Sequence, residues 1–215
     1  MKGVTFGELH SYRDLDLILS KKEIGAPSVK TKKIEIEGAD GSIDYTDFFG
    51  RPNYGDVTHK FTFSSVVPRS DSITQYTKVK NALHGQKLRI VLDDDPSFYY
   101  VGRCYVSSYT NEKNIGTITV ECDCEPYKYK VQPTFVSVAV DGTEVISLTN
   151  GKKRAVPEIT ITTDTSLNIV YQTFNVWDLG SGSYTLPDLE LAEGINEVTV
   201  TGTGSINFTW QEGDL

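Results

Sequence analysis

The groups with chemistry to offer in this chain are two acidic clusters, three histidines and three cysteines. Asp93-Asp94-Asp95 and the stretch from Asp40 to Asp44 present hard carboxylate oxygens of the kind calcium or magnesium takes. Neither has EF-hand spacing, and carboxylates ahead of a proline, here Pro96, ordinarily build a turn. His10, His59 and His84 each lack a second His or Cys at metal-ligand spacing, and His84 beside Gly85 suits a helix C-terminus. Cys104, Cys122 and Cys124 are an odd number behind an opening segment with no apolar leader, and Cys122-Asp123-Cys124 is too tight for zinc. Reduced core thiols are the expectation, with Cys104 near Cys122 if residues 99–110 and 115–124 form a hairpin. No Gly-x-Ser-x-Gly elbow is present, and Gly180-Ser181-Gly182 opens no helix that could cradle phosphate. The expectation is therefore no enzyme, no cofactor and no metal. Trp177 and Trp210, with Tyr171, Phe174 and Tyr184, could stack on sugar rings, although at strand spacing most such residues belong to a core.

The elements that must position these groups are mostly strands. With 215 residues, 38% hydrophobic and 23% charged, the chain has enough material for one large β domain or two smaller ones. Eighteen glycines, twelve tyrosines and one methionine lean toward strands and turns. A net charge of -8 and a pI near 4.9 disfavour nucleic acid as a specific partner. No window approaches the length of a membrane span, and synthesis and residence in the cytoplasm are expected.

Residues 4–6, 32–38, 60–67, 87–93, 98–108 and 115–124 read as strands, and 32–38 alternates as a half-buried strand does. One helix is expected from Ser72 to a stop at Gly85, opened by a capping box of Ser72 and Gln75 and buried along Ile73, Tyr76, Val79 and Leu83. After residue 131 the helical period disappears. Short strands at 135–140, 144–148, 158–162, 166–170, 171–174, 182–186, 196–201 and 205–210 are separated by turns at Asp141-Gly142, Asn150-Gly151, Gly180 to Gly182 and Gly202 to Gly204. The fold class is mainly β: a β-rich α+β domain over 1–131 and a small antiparallel β-sandwich over 132–215.

Three stretches carry a family resemblance. Gly38-Ala39-Asp40-Gly41-Ser42-Ile43-Asp44 follows a strand as a glycine-rich turn; Asp93 to Gly102 contains Asp95-Pro96 and Tyr99-Tyr100; and Cys124-Glu125-Pro126-Tyr127 closes the first domain. With Gly151 to Pro157 and residues 191–200 in the second domain, their order resembles that of distal tail proteins of long-tailed bacteriophages or of related tail-like particles. The resemblance implies a virion tail-tip protein assembled in the host cytoplasm. Its first domain would form a ring, usually a hexamer, that joins the tail tube protein to the tail-tip hub protein. A galectin-like second domain would point outward and scaffold receptor-binding or other baseplate proteins. Gly38, Asp40, Gly41, Asp44, Asp95, Pro96, Tyr100, Pro126 and Tyr127 are the interface or structural positions it singles out. Strand edges at 32–37 and 60–67 would continue a sheet into a neighbour, and Asp93 to Asp95 would keep exiting DNA from sticking if they faced a lumen. A carbohydrate-binding module contacting host cell-wall glycans is the alternative, and it requires Trp177 or Trp210 to be exposed beside polar groups.

Overall fold

The structure is a computed structural model that describes residues 2–48, 50–112 and 115–215. It is mainly β with antiparallel strands and, among the described residues, one α-helix. The chain divides into two compact units, residues 1–128 and 129–215.

In the first unit the strands are β1 (Val4–Phe6), β2 (Leu9–His10), β3 (Leu17–Glu23), β4 (Lys33–Glu35), β5 (Ser42–Asp44), β6 (Val57–Ser65), β7 (Lys87–Leu92), β8 (Asp95–Glu112) and β9 (Ile115–Cys124), with α1 (Ser72–Leu83) between β6 and β7. The sheet runs in the order β2-β1-β7-β8-β9-β6-β3. Strict alternation in β6 turns Val57, His59, Phe61 and Phe63 inward. Phe6 meets Phe61 and Phe63 edge-on, at centroid distances of 5.8 and 6.1 Å, and Val79 and Leu83 of α1 belong to the same core.

Three expectations change here. The stretch 60–67 is no edge: β6 lies between β9 and β3, and the edge is β3, whose Leu-Ile-Leu-Ser-Lys-Lys-Glu sequence lacks a clean alternation. The stretch 32–38 is not half-buried; β4 is exposed throughout and pairs only with β5. The helix begins at Ser72 as expected, but without a capping box. Its N-cap, Asp71, makes no side-chain cap bond, and Gln75 is buried, donating to the carbonyls of Leu15 at 2.9 Å and Asp16 at 2.8 Å. Buried loop carbonyls need donors, and the glutamine that satisfies them is not available to the helix end. Ile73 is 61% exposed, and Ser72 and Gln75 stand on the buried face with Val79 and Leu83.

In the second unit a short β10 (Lys128–Lys130) meets β17 (Gly213–Asp214), and the sandwich comprises β11 (Thr134–Asn150), β12 (Glu158–Thr162), β13 (Leu167–Tyr171), β14 (Phe174–Leu179), β15 (Gly182–Thr185) and β16 (Gly194–Trp210). β11 and β16 pair along their whole 17-residue lengths. On its other edge β16 pairs with β13 near Thr199–Gly202 and with β12 over Ser205–Thr209. A straight strand of this length would extend about 55 Å. Yet Val198 and Val200 from one half of β16 and Ile206 and Phe208 from the other share one core, so the ladder folds over on itself between them.

The fold is made by glycine. Gly142 pairs with Gly202, at φ of 91° and 137°. A Cβ on Gly202 would stand 2.6 Å from the Ser166 carbonyl oxygen, and one on Gly204 would stand 2.6 Å from that of Thr162. The glycines at 142, 202 and 204 therefore mark a bend within two continuous strands, where the sequence suggested turns between four short ones. Likewise the expected strand at 171–174 is the tight turn joining β13 to β14, with Gln172 at φ 54°.

Candidate functional site

Between β3 and β6 the chain leaves the sheet as an arm. A backbone ladder holds it together: Gly55 N donates to Ser28 O at 2.8 Å, Lys30 N to Asn53 O at 2.7 Å and Tyr45 N to Lys32 O at 2.7 Å. Beyond these, β4 and β5 place Ile34 opposite Ile43. At the tip Gly38 and Gly41, both at φ 81°, bracket exposed Ala39 and Asp40, and no atom lies within 4 Å of either would-be Cβ. These two glycines are therefore required by the backbone and not by a close neighbour. Asp44 accepts the Thr46 amide at 2.8 Å, and hydrogen bonds from Thr46 lower its pKa.

The arm's side chains are unlike a solvated hairpin. Ile34, Ile36 and Ile43 are 46%, 48% and 44% exposed, and the Phe48 ring, 6.0 Å from that of Tyr45, is 70% exposed. A two-stranded hairpin has little stability of its own in water, and clustered exposed apolar side chains mark a surface made for contact.

The remaining motif residues gather at the arm's root. Gly25, where the arm departs, donates its amide to His59 Nδ1 at 3.2 Å, and the His59 ring stands edge-on to Tyr100 at 4.4 Å. On the return strand Tyr54, bridged to Val29, meets Tyr127 edge-on at 5.9 Å, next to Pro126. Asp95 opens β8 beside Pro96 and pairs with Lys128 at 3.0 Å, whose ammonium also lies over the Phe98 ring. The nine positions thus divide between tip (Gly38, Asp40, Gly41, Asp44) and root or adjoining sheet (Asp95, Pro96, Tyr100, Pro126, Tyr127). His59, Gly25 and Tyr54 complete the root. Sequence reasoning weighed His59 only as a metal ligand and missed Gly25 and Tyr54, because these roles arise from contacts across the sheet that no local pattern records.

His59 makes the root sensitive to acid. It is buried with Nε2 unpartnered, and burial lowers its pKa from the ordinary 6.5. Unfolding therefore takes up a proton that the folded state refuses. Stability is complete above 6.5 and is lost as pH falls from there toward the depressed folded value. The thermal midpoint should drop as pH falls below the ordinary 6.5, and His59→Phe should remove that part of the slope while lowering stability at neutral pH. Equal slopes in both proteins over this window would exclude His59 as the cause.

The groups that suggested chemistry have structural duties. Asp93 and Asp94 form the two-residue turn between β7 and β8. Asp93 accepts from Gly3 N at 2.7 Å and His10 Nε2 at 3.0 Å, while His10 Nδ1 accepts from the amides of Tyr12 and Arg13. Burial would raise the Asp93 pKa, but the bonds from His10 and Gly3 outweigh it and hold it below the usual carboxylate range. Both imidazole nitrogens are occupied, so His10 has no free base for buried Ser11 nearby. The expected turn ahead of Pro96 is present, and Asp94 pairs with Lys22, so that with the Asp93 and Asp95 pairings each carboxylate is committed within the chain. Cys104 and Cys122 face each other in register with sulfurs 3.1 Å apart; all three thiols are free and buried, and burial pushes Cys124 up to about 12. Among the described residues no group of three His, Cys, Asp or Glu side chains could hold a metal ion, and no helix is long and apolar enough to cross a membrane.

No protein-family model matches the chain, and no curated protein does. Among solved structures, the crystal structure of the Dit protein of phage SPP1 matches with a TM-score of 0.74 at 14% identity, covering 100% of each chain. That protein is described as a paradigm of the hub adsorption apparatus in phages that infect Gram-positive bacteria. The likeness is one of fold and extends through both units. The resemblance to distal tail proteins carried by the motifs is borne out at that level.

Proposed function

We propose that this chain is a structural, non-catalytic component of a phage tail tip, a ring subunit that joins the tail tube to the hub. The observation that carries the reading is the fold shared with the SPP1 Dit protein over the entire chain. Residues 1–131 are the ring-forming domain in this reading, and 132–215 form a galectin-like sandwich that scaffolds other baseplate proteins. A closed ring of identical subunits needs two unlike, complementary surfaces on each copy. The arm supplies one, with Ile34, Ile36 and Ile43; the same unit also exposes Val66 and Ile73, just before and at the start of α1. Docking the arm of one copy onto the next would bury apolar side chains that the isolated chain leaves in water.

The mass of the purified protein across a concentration series, with negative-stain images of the same fractions, tests the ring. Six-membered rings with a central hole are expected. A monomer at every concentration would remove self-assembly from the reading.

A further inference from the structure

The second unit carries a feature that the tail-tip reading does not use. Of the two tryptophans, Trp210 is 3% exposed and belongs to the core, whereas Trp177 is 63% exposed. Trp177 stands on the outer face of the sheet, since Phe174 and Val176 of the same strand pack inward on the core. Its position is set by a β-bulge. Between the Leu167↔Leu179 and Ile169↔Val176 pairs, Trp177 and Asp178 together oppose the single residue Asn168. Asp178 adopts φ 58°, uncommon for a residue other than glycine, and Asn168 Oδ1 accepts the Asp178 amide at 2.9 Å. Bulges re-aim side chains, and a strained bulge pinned by a side-chain amide is a built feature.

What surrounds the ring identifies its ligand. Pairing across the sheet sets Thr143, Thr201 and Asn168 in one row ending at Trp177, and Val145, Thr199, Val170 and Asn175 in the next. The one charged side chain here is Asp178, which shares the bulge with Trp177 and accepts from Ser166 Oγ at 3.4 Å; every other member of the two rows is neutral. Because Asn168 spends its oxygen on the bulge, its NH2 donors are left for another partner. One flat aromatic face beside neutral amides and hydroxyls suits a ligand with an apolar face and a rim of hydroxyls. Charge selects further: from Ala155 to the end the chain has no Lys or Arg, while Asp and Glu recur from Glu158 to Asp214. Anionic polymers are repelled by that field, and neutral ones are not.

We propose that the Trp177 face is a binding site for a neutral pyranose, with the sugar ring stacked on the indole and its hydroxyls bonded by Asn168, Asn175 and Thr201. The site is independent of ring assembly, so its failure would leave the tail-tip reading standing.

The test uses the full chain, whose exposed fluorescence comes from Trp177 alone because Trp210 is buried. Glucose and N-acetylglucosamine hexamers, with poly(glycerol phosphate) as the anionic comparator, are titrated against intrinsic emission; the labelled protein is also applied to an array of neutral hexose and N-acetylhexosamine glycans. The expected result is a saturable blue shift with at least one neutral glycan, none with poly(glycerol phosphate), and loss of both shift and array signal in Trp177→Ala. Asn168→Asp, which keeps the acceptor for Asp178 and removes the donors, should bind several-fold more weakly with an unchanged thermal midpoint. Array signal no greater than that of Trp177→Ala, or equal binding of poly(glycerol phosphate), overturns the proposal.

Discussion

Replacing Ile34 and Ile43 together with glutamate is expected to abolish self-assembly and leave each subunit folded. The two side chains are opposite one another on β4 and β5 and close to half exposed, so the isolated chain gains little from them. Burying an isoleucine against a neighbour contributes about 1.5–3 kcal/mol, and a factor of ten in affinity corresponds to about 1.4 kcal/mol. Losing both, and adding two carboxylates that would have to leave water, should weaken association by at least about a hundredfold. Away from the contact, such surface changes alter stability by only about 0.5 kcal/mol. Mass photometry and a thermal melt on the same sample separate the effects. Rings persisting at the wild-type concentration would remove the arm from the interface.

The second large effect is expected at Gly202. Alanine there meets the Ser166 carbonyl oxygen at 2.6 Å and Leu167 Cδ2 at 2.7 Å, on a backbone at φ 137°. Backbone atoms on both sides of the contact cannot give way without opening the bend that brings the two halves of β11 and β16 over one core. A loss of about 3 kcal/mol or more follows from strain and overpacking combined. Gly142→Ala is the internal comparison. It shares a positive φ, of 91°, but has open space around the added carbon, so it should lose only about 1–2 kcal/mol. Urea unfolding followed through the fluorescence of buried Trp210 measures both. Equal midpoints for the two variants would mean that the close approach at Gly202 does not hold the bend.

What could be read from the chain divides along the same line between local and non-local causes. The β8–β9 hairpin and the facing of Cys104 and Cys122 follow from two successive strand-like runs at 99–110 and 115–124, and the limits of α1 from Ser72 and Gly85. The buried face of α1 was not legible, because Gln75 is placed by the carbonyls of a loop sixty residues earlier in the chain. Glycine at 142, 202 and 204 interrupts alternation equally for a turn and for a bend, and only the partner strands tell them apart. That β6 is an inner strand depends on β9 and β3 flanking it, an order that no local signal encodes. In the arm, the motif glycines and the alternation of 32–38 were visible, but the apolar residues of that alternation find no covering surface in their own sheet. The turn at Asp93-Asp94 was legible from carboxylates ahead of Pro96, but the partners of the run, His10, Lys22 and Lys128, were not, because they lie far away in sequence.

The tail-tip assignment is tested most directly by locating the chain on a particle. In tails assembled from the genome that encodes it, an epitope appended to residue 215 and bound by gold-labelled antibody should appear in electron micrographs at one end of the tube. Deleting the chain should leave tubes without a tip. Label along the whole tube, or tails that keep an intact tip in the absence of the chain, would contradict the account.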